Sequence, residues 1–178
     1  MGLLAKVKGK IDYLFREIVL YIYRPEKIVS QTLKEEFYYH QITEIESLKE
    51  FSFEYSIEEY QNRFSQNNIM CYYSDQKKVI AYGWINPNAT HYLGELALEM
   101  DLKSKFEVLY DFHTNSEYRG KGLYPILLKK MVLRNNKSKL IYTFSHNTSS
   151  IRGIEKAGFK ILGSIKGYNK NKYLSLIK

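Results

Sequence analysis

Tyr118-Arg119-Gly120-Lys121-Gly122-Leu123-Tyr124 is the stretch from which the rest of the chain can be read. It lies between a run with strand character, residues 105–114 (KFEVLYDFHT), and a helical pattern expected over 122–135. Two glycines let the backbone turn without a Cβ in the way, so successive amides can point into one cavity. The helix that follows adds unpaired first-turn N–H groups and the positive end of its dipole. Together these make a seat for a phosphate or pyrophosphate. Pro125 removes one donor, and a proline in the first helical turn is well tolerated. The pattern lacks the third glycine of a dinucleotide fingerprint and the Gly-Lys-Ser/Thr of a P-loop.

A second stretch gives the first its meaning. Asn147-Thr148-Ser149-Ser150-Ile151-Arg152-Gly153-Ile154-Glu155-Lys156-Ala157-Gly158-Phe159 follows a strand expected over 138–146 and opens a short helix over 148–157. In these two segments the chain resembles the GNAT superfamily of acetyl-CoA-dependent N-acetyltransferases. Arg119 and Gly122 match the Arg/Gln-x-x-Gly-x-Gly/Ala signature, with Tyr124 at its last position. Asn147, Ser150, Lys156, Gly158 and Phe159 match the downstream Asn-x-x-Ala/Ser and Lys-x-Gly-Phe pattern. The resemblance is strong over 105–165 and rests on element order alone over 33–104.

It implies an α/β fold: a mixed, twisted central sheet flanked by helices, with two parallel strands splayed to admit the cofactor. Backbone amides of Arg119, Gly120, Lys121, Gly122, Leu123 and Tyr124 would hold the pyrophosphate of acetyl-CoA, the co-substrate. Phe112 and Thr114 would pair with the pantetheine arm, and Asn147 would contact it or shape the acetyl end. Lys121, Lys129 and Lys156 would supply charge to the phosphates. Two departures stand out. Tyr124 replaces a small residue, and Ile154 occupies the place where many members carry a tyrosine as general acid, leaving water, Tyr168 or the substrate to protonate the thiolate. For the base, Asp111 and His113 alternate onto one face of the strand leading to the cofactor, and His146 abuts Asn147. Glu95 and Glu99 lie where they could bind or deprotonate a cationic acceptor, with Asp101 as a third acid of a local patch. His113 and His146 alone are too few to make a metal site, so no metal is expected.

Outward from this core, residues 33–42 read as a first strand, 43–51 and 56–66 as helices, and 69–75 and 78–86 as strands joined by a turn at 75–77. Ser56 and Glu59 suit a capping box. Residues 87–104 read as a loop with a short helix, and 159–166 and 172–177 as final strands. Residues 10–23 (KIDYLFREIVLYIY) place Ile11, Leu14, Phe15, Ile18, Val19 and Ile22 at helical spacing among basic residues. The expected organisation is an amphipathic helical extension over 1–27 and an acetyltransferase domain over 28–178. That helix would pack on the domain or a partner subunit, or lie through residues 1–24 on an anionic membrane.

The 178 residues suffice for one domain with a core, and 27 Lys and Arg against 19 Asp and Glu leave a net charge of +8. Such a field favours anionic partners without choosing among them. One cysteine, Cys71, excludes an internal disulfide and reads as a small buried strand residue. No apolar run reaches membrane-spanning length and no secretory h-region is evident, so a cytoplasmic protein is expected, at the inner membrane face if the helix docks there. The 17 tyrosines fall mainly in strand-like runs, where they fill half-buried positions. The functional expectation is acetyl transfer to the primary amine of a small molecule, with an amino sugar, free or nucleotide-linked, favoured as acceptor and a homodimer open. Acyl-CoA binding without catalysis and protein N-acetylation are the alternatives. A basic membrane or nucleic-acid binder using Lys166, Lys170 and Lys172 comes last, since no base-reading motif is present.

Overall fold

The computed structural model describes residues 15–25, 38–44, 57–75 and 78–177. Nine strands and four helices follow in order: β1 (Glu17–Tyr23), β2 (Tyr38–Ile42), α1 (Ile57–Ser65), β3 (Ile69–Asp75), β4 (Lys78–Asn86), β5 (Thr90–Leu93), β6 (Leu98–Asp101), β7 (Phe106–Thr114), α2 (Leu123–Val132), β8 (Ser138–Phe144), α3 (Thr148–Lys156), β9 (Lys160–Lys166) and α4 (Tyr173–Leu176). Seven strands form one sheet in the order β2-β3-β4-β7-β8-β1-β9, and β5 and β6 form a separate hairpin. Among the described strands only β7 and β8 run parallel; every other neighbouring pair is antiparallel. The result is a mixed sheet with helices on its faces.

Alternation along the strands divides the core. Ile69, Cys71 and Tyr73 of β3, Leu109 of β7 and Ile141 of β8 meet Leu127, Leu128 and Met131 of α2 and Ile154 of α3 on one face. On the other, Met70, Tyr72 and Trp84 pack with Tyr60 and Phe64 of α1. Beside them Val108, Leu140 and Ile165 pack with Leu93 and Met100 of the hairpin and with Tyr173. Cys71 is buried, and that burial pushes its thiol up to about 11.

The structure corrects the N-terminal reading. Residues 17–23 are a strand, wedged antiparallel between β8 and β9, and not the second half of an amphipathic helix. Ile18, Leu20 and Ile22 face the hairpin side while Val19, Tyr21 and Tyr23 face α2 and α3. A strand buried on both faces is a continuous apolar run, and its side chains also satisfy a helical stripe. Over 17–23 the chain is therefore an interior strand of the main sheet, unavailable to a membrane surface; residues 1–14 lie outside the described residues.

A second correction falls at the other end, where 172–177 was expected as a strand. Tyr173–Leu176 is a helical turn, and Tyr173, Leu176 and Ile177 pack at three- and four-residue spacing on the hairpin-side core. Leu176 presses on Gly163 of β9, where a Cβ would stand 2.6 Å from its Cδ2. Residues 87–104, expected as a loop with a short helix, form the β5–β6 hairpin around a 3-10 turn at Gly94–Leu96. The helix expected over 43–51 and the partners Ser56, Gln76 and Lys77 of a cap and a turn lie largely or wholly outside the described residues. Among those residues no helix is long and apolar enough to cross a membrane.

Candidate active site

The parallel pairing of β7 and β8 runs from Phe106–Ser138 to Leu109–Ile141 and goes no further, although the strands continue to Thr114 and Phe144. Beyond that vertex they diverge. The closed end is held by a buried charge cluster: the Glu107 carboxylate accepts from Arg134 at 2.9 Å and from the Asn135 amide at 2.8 Å, and pairs with Lys139 at 3.3 Å. Burial alone would raise the Glu107 carboxyl, but the Asn135 bond and the Lys139 and Arg134 charges outweigh it and hold it below the ordinary glutamate range.

β7 bends at the vertex. Tyr82 pairs with His113 and Trp84 with Tyr110, so Gly83 alone opposes Asp111 and Phe112, and Asp111 takes a left-handed φ of 49°. This is a β-bulge. It breaks the alternation that was to bring Asp111 and His113 to one purpose. Asp111 bonds the Arg63 guanidinium, which also holds Glu59 and lies 5.0 Å from the Trp84 ring centre and 5.4 Å from that of Tyr110. His113 instead stacks on Tyr82 at 5.5 Å. Phe112 turns to the opposite side, edge-on to Tyr124 at 5.1 Å, in the space above Gly83 that a Cβ would fill.

On the α2–α3 side a cleft of about 730 Å³ opens onto the splay, lined by Phe112, His113 and Thr114, by the turn Tyr118–Gly120 and Gly122, and by both helix N-termini. Gly120 and Gly122 hold φ of 79° and 77°, and the space where each Cβ would stand is open. Arg119 Nε donates to the Thr114 carbonyl at 3.0 Å, tying the turn to the end of β7. Arg119, Arg152 and Lys156 line the cleft, and among the described residues no acidic side chain does. Asn147 caps α3, its side-chain oxygen accepting from the Ser150 amide at 3.1 Å and the Ser149 hydroxyl at 3.0 Å. Lys121 sits over the Tyr118 ring at 4.5 Å, and Leu123 is buried beneath the turn.

Tyr124 does not obstruct the amides. Its ring lies against Gly153 of α3, where a Cβ would come within 2.7 Å of Cε1, and its hydroxyl meets Ser150 Oγ at 3.2 Å. Burial pushes that phenol up to about 12. Ile154, at the position of the usual acid, is 0% exposed and belongs to the core.

The remaining candidates scatter. Glu95 lies on the hairpin side and raises the Tyr142 phenol by its charge, while Glu99 pairs with Tyr92 on the hairpin's outward surface. Asp101 bonds the Lys103 amide, His146 stacks on Phe144, and Lys129 and Tyr168 lie outside the cleft lining. Ser149, Arg152 and Gly153 were missed beside Lys156, although a spacing of three, four and seven residues puts all four on one helical face. Arg63, His91, Asn86 and Tyr142 carry no motif; only the folded sheet brings them together.

The chain belongs to the GNAT acetyltransferase family: the family model matches residues 31–159. Solved structures agree on the fold. A GNAT-family acetyltransferase from Colwellia psychrerythraea superposes with a TM-score of 0.53 at 14% identity, over 83% of this chain and 53% of its own. A GCN5-related N-acetyltransferase from Sphaerobacter thermophilus gives 0.56 at 11% identity, over 90% of this chain and 54% of its own. A GCN5-related N-acetyltransferase-like protein from Streptococcus suis gives 0.52 at 12% identity, over 92% and 66%. The chain thus spans little more than half the length of the first two. Curated protein sequences offer no match.

Proposed function

We propose that the chain is an acetyl-CoA-dependent N-acetyltransferase acting on the primary amine of a small molecule. The observation that carries this is the cleft at the β7–β8 splay: two helix N-termini, three cationic side chains and, among the described residues, no carboxylate, an environment suited to a pyrophosphate. Bound there, acetyl-CoA supplies the activated acyl group. The amides of the Arg119–Tyr124 turn seat its phosphates, Arg119, Arg152 and Lys156 neutralise them, and the unpaired edge of β7 from Tyr110 to Thr114 receives the pantetheine arm. The acceptor enters from the opposite face, where the three carboxylates of Glu59, Asp111 and Glu95 outnumber the two guanidinium groups of Arg63 and Arg16 and favour a cationic amine. A free or nucleotide-linked amino sugar is the acceptor class we favour.

The amine must lose a proton before it attacks. As its nitrogen bonds the carbonyl carbon the carbon–sulfur bond breaks; the nitrogen gives up one proton and the sulfur takes up one. Asp111, held by Arg63 on the acceptor face, draws the cationic amine and takes its proton through water, while His113 lines the cofactor cleft. Calorimetry with acetyl-CoA tests the site. Micromolar binding by the wild type and its loss in Gly122→Trp, where the indole enters the cleft, are expected; a folded wild type that binds no acetyl-CoA overturns the proposal.

A second reading has its own observation. Ile154 places no hydroxyl near the leaving sulfur, which fits a protein that holds acyl-CoA without turning it over. CoA release in a screen of primary amines separates the two: release supports the enzyme, and binding without release supports the carrier.

A further inference from the structure

Tyr142 is the first residue of β8 beyond the last β7–β8 pair, at the vertex where the strands part. Its ring lies on the acceptor side, close enough to Tyr110, Asp111 and Arg63 across the opening for its hydroxyl to feel their charges. His91 stands between the two tyrosines, its ring centre 5.1 Å from that of Tyr110 and 5.6 Å from that of Tyr142. The two phenols are used differently. Tyr110 donates its proton to Asn68 Oδ1 at 3.0 Å. Tyr142 Oη lies 3.2 Å from His91 Nε2.

The direction of that bond follows from its neighbours. Asn86 Oδ1 accepts from the Asn88 backbone amide at 2.9 Å, which fixes which end of the side-chain amide is nitrogen. Asn86 Nδ2 then spends one hydrogen on the Thr90 carbonyl at 2.8 Å and the other on His91 Nδ1 at 3.1 Å. His91 Nδ1 is therefore an acceptor, so the ring proton sits on Nε2 and is donated to Tyr142 Oη. The Tyr142 proton is left pointing elsewhere, and among the described residues it has no acceptor. Burial holds His91 down at about 4, so the imidazole stays neutral and the arrangement holds through the physiological range. Burial also raises the Tyr142 phenol, first among its causes, so it remains a donor throughout.

Building on the function proposed above, we infer that Tyr142 donates a hydrogen bond to the carbonyl oxygen of the thioester, with His91 and Asn86 as its positioning residues. The arm laid along β7 from the Arg119–Tyr124 turn runs toward the vertex and ends beside this hydroxyl. Tyr142 keeps its proton; its bond strengthens as negative charge gathers on the carbonyl oxygen during attack, and the sulfur is protonated from elsewhere. This is a role different from the missing acid at Ile154, and it comes from the opposite face of the sheet.

The test uses the whole chain, acetyl-CoA carrying a ¹³C carbonyl, and plain CoA, which lacks the carbonyl. In Tyr142→Phe the bound thioester band should move to higher wavenumber in the infrared. Affinity for acetyl-CoA should fall about 2- to 12-fold, as for one hydrogen bond, while affinity for CoA stays unchanged. His91→Gln should broaden or partly shift the same band, which a merely structural role would not do. An unmoved band in Tyr142→Phe, or an equal loss of affinity for both ligands, overturns the inference and leaves the cofactor site standing. Failure of the wild type to bind acetyl-CoA overturns the functional proposal and this inference with it.

Discussion

Gly83 and Phe112 should be energetically coupled, and the coupling can be sized from the structure. A Cβ on Gly83 would stand 2.9 Å from Phe112 Cζ and closer still to two other ring carbons. Carbon–carbon contacts settle at about 3.5–4.0 Å, so the ring must retreat by roughly 1 Å or more in Gly83→Ala. Its way back is limited by Tyr124, edge-on at 5.1 Å. Overpacking of this kind costs about 1–3 kcal/mol. For a chain of this size that corresponds to a fall in melting temperature of roughly 2–12 °C. In a Phe112→Ala background the methyl has room, and Gly83→Ala should then be neutral or stabilise by up to about 1 kcal/mol through the unfolded chain. The four proteins of the cycle, unfolded in denaturant, should show a coupling of about 1–3 kcal/mol. The displaced ring also narrows the cleft it lines, so Gly83→Ala alone should weaken acetyl-CoA binding. Additive single effects, within about 0.5 kcal/mol, would refute the packing argument.

Leu20→Ala should cost about 2–5 kcal/mol in denaturant unfolding, because the side chain is fully buried between β8 and β9; an effect below about 0.5 kcal/mol would mean the strand is peripheral. Glu107→Gln leaves Lys139, 0% exposed, without its carboxylate and should destabilise the fold by about 3–5 kcal/mol at neutral pH. The folded Glu107 carboxyl lies below its unfolded value, so its contribution is full above the ordinary glutamate range and is lost as pH falls through the folded value. The gap in denaturant midpoint between wild type and Glu107→Gln should therefore be full at neutral pH and close in acid, and a constant gap would show that this carboxylate carries no pH dependence.

The elements of the proposed cofactor side were legible because their signals are local. The glycine turn, the capping Asn147 and the helix starts after them each occupy a few consecutive residues, and the splay expected from the resemblance is found at Leu109–Ile141. What failed was non-local. The run Glu17–Tyr23 carries an apolar pattern compatible with helix or buried strand, and its partners lie at the far end of the sequence. At the other terminus, Tyr173 and Leu176 were given strand spacing where three-residue spacing governs. The bulge at Asp111 shifts every facing residue after it, and nothing in Tyr-Asp-Phe-His announces where the extra residue falls. The face proposed for the acceptor has least sequence signal of all: Arg63, His91, Tyr110 and Tyr142 come from four separate elements and meet only once the sheet is closed.

The place of β1 has a consequence for how the chain is made. Ile18 leaves the ribosome well before Phe144 and Ile165, with which it pairs. At a synthesis rate of about 5–20 residues per second, its first partner follows some 6–25 s later. During that interval an apolar, β-branched and aromatic segment has no sheet to enter, while β3, β4 and β7 can already pair. Contacts so distant in sequence also slow folding. The nascent chain should thus hold a half-built sheet open until β8 and β9 are released, and a chaperone that shields short apolar strands would find its target in Glu17–Tyr23.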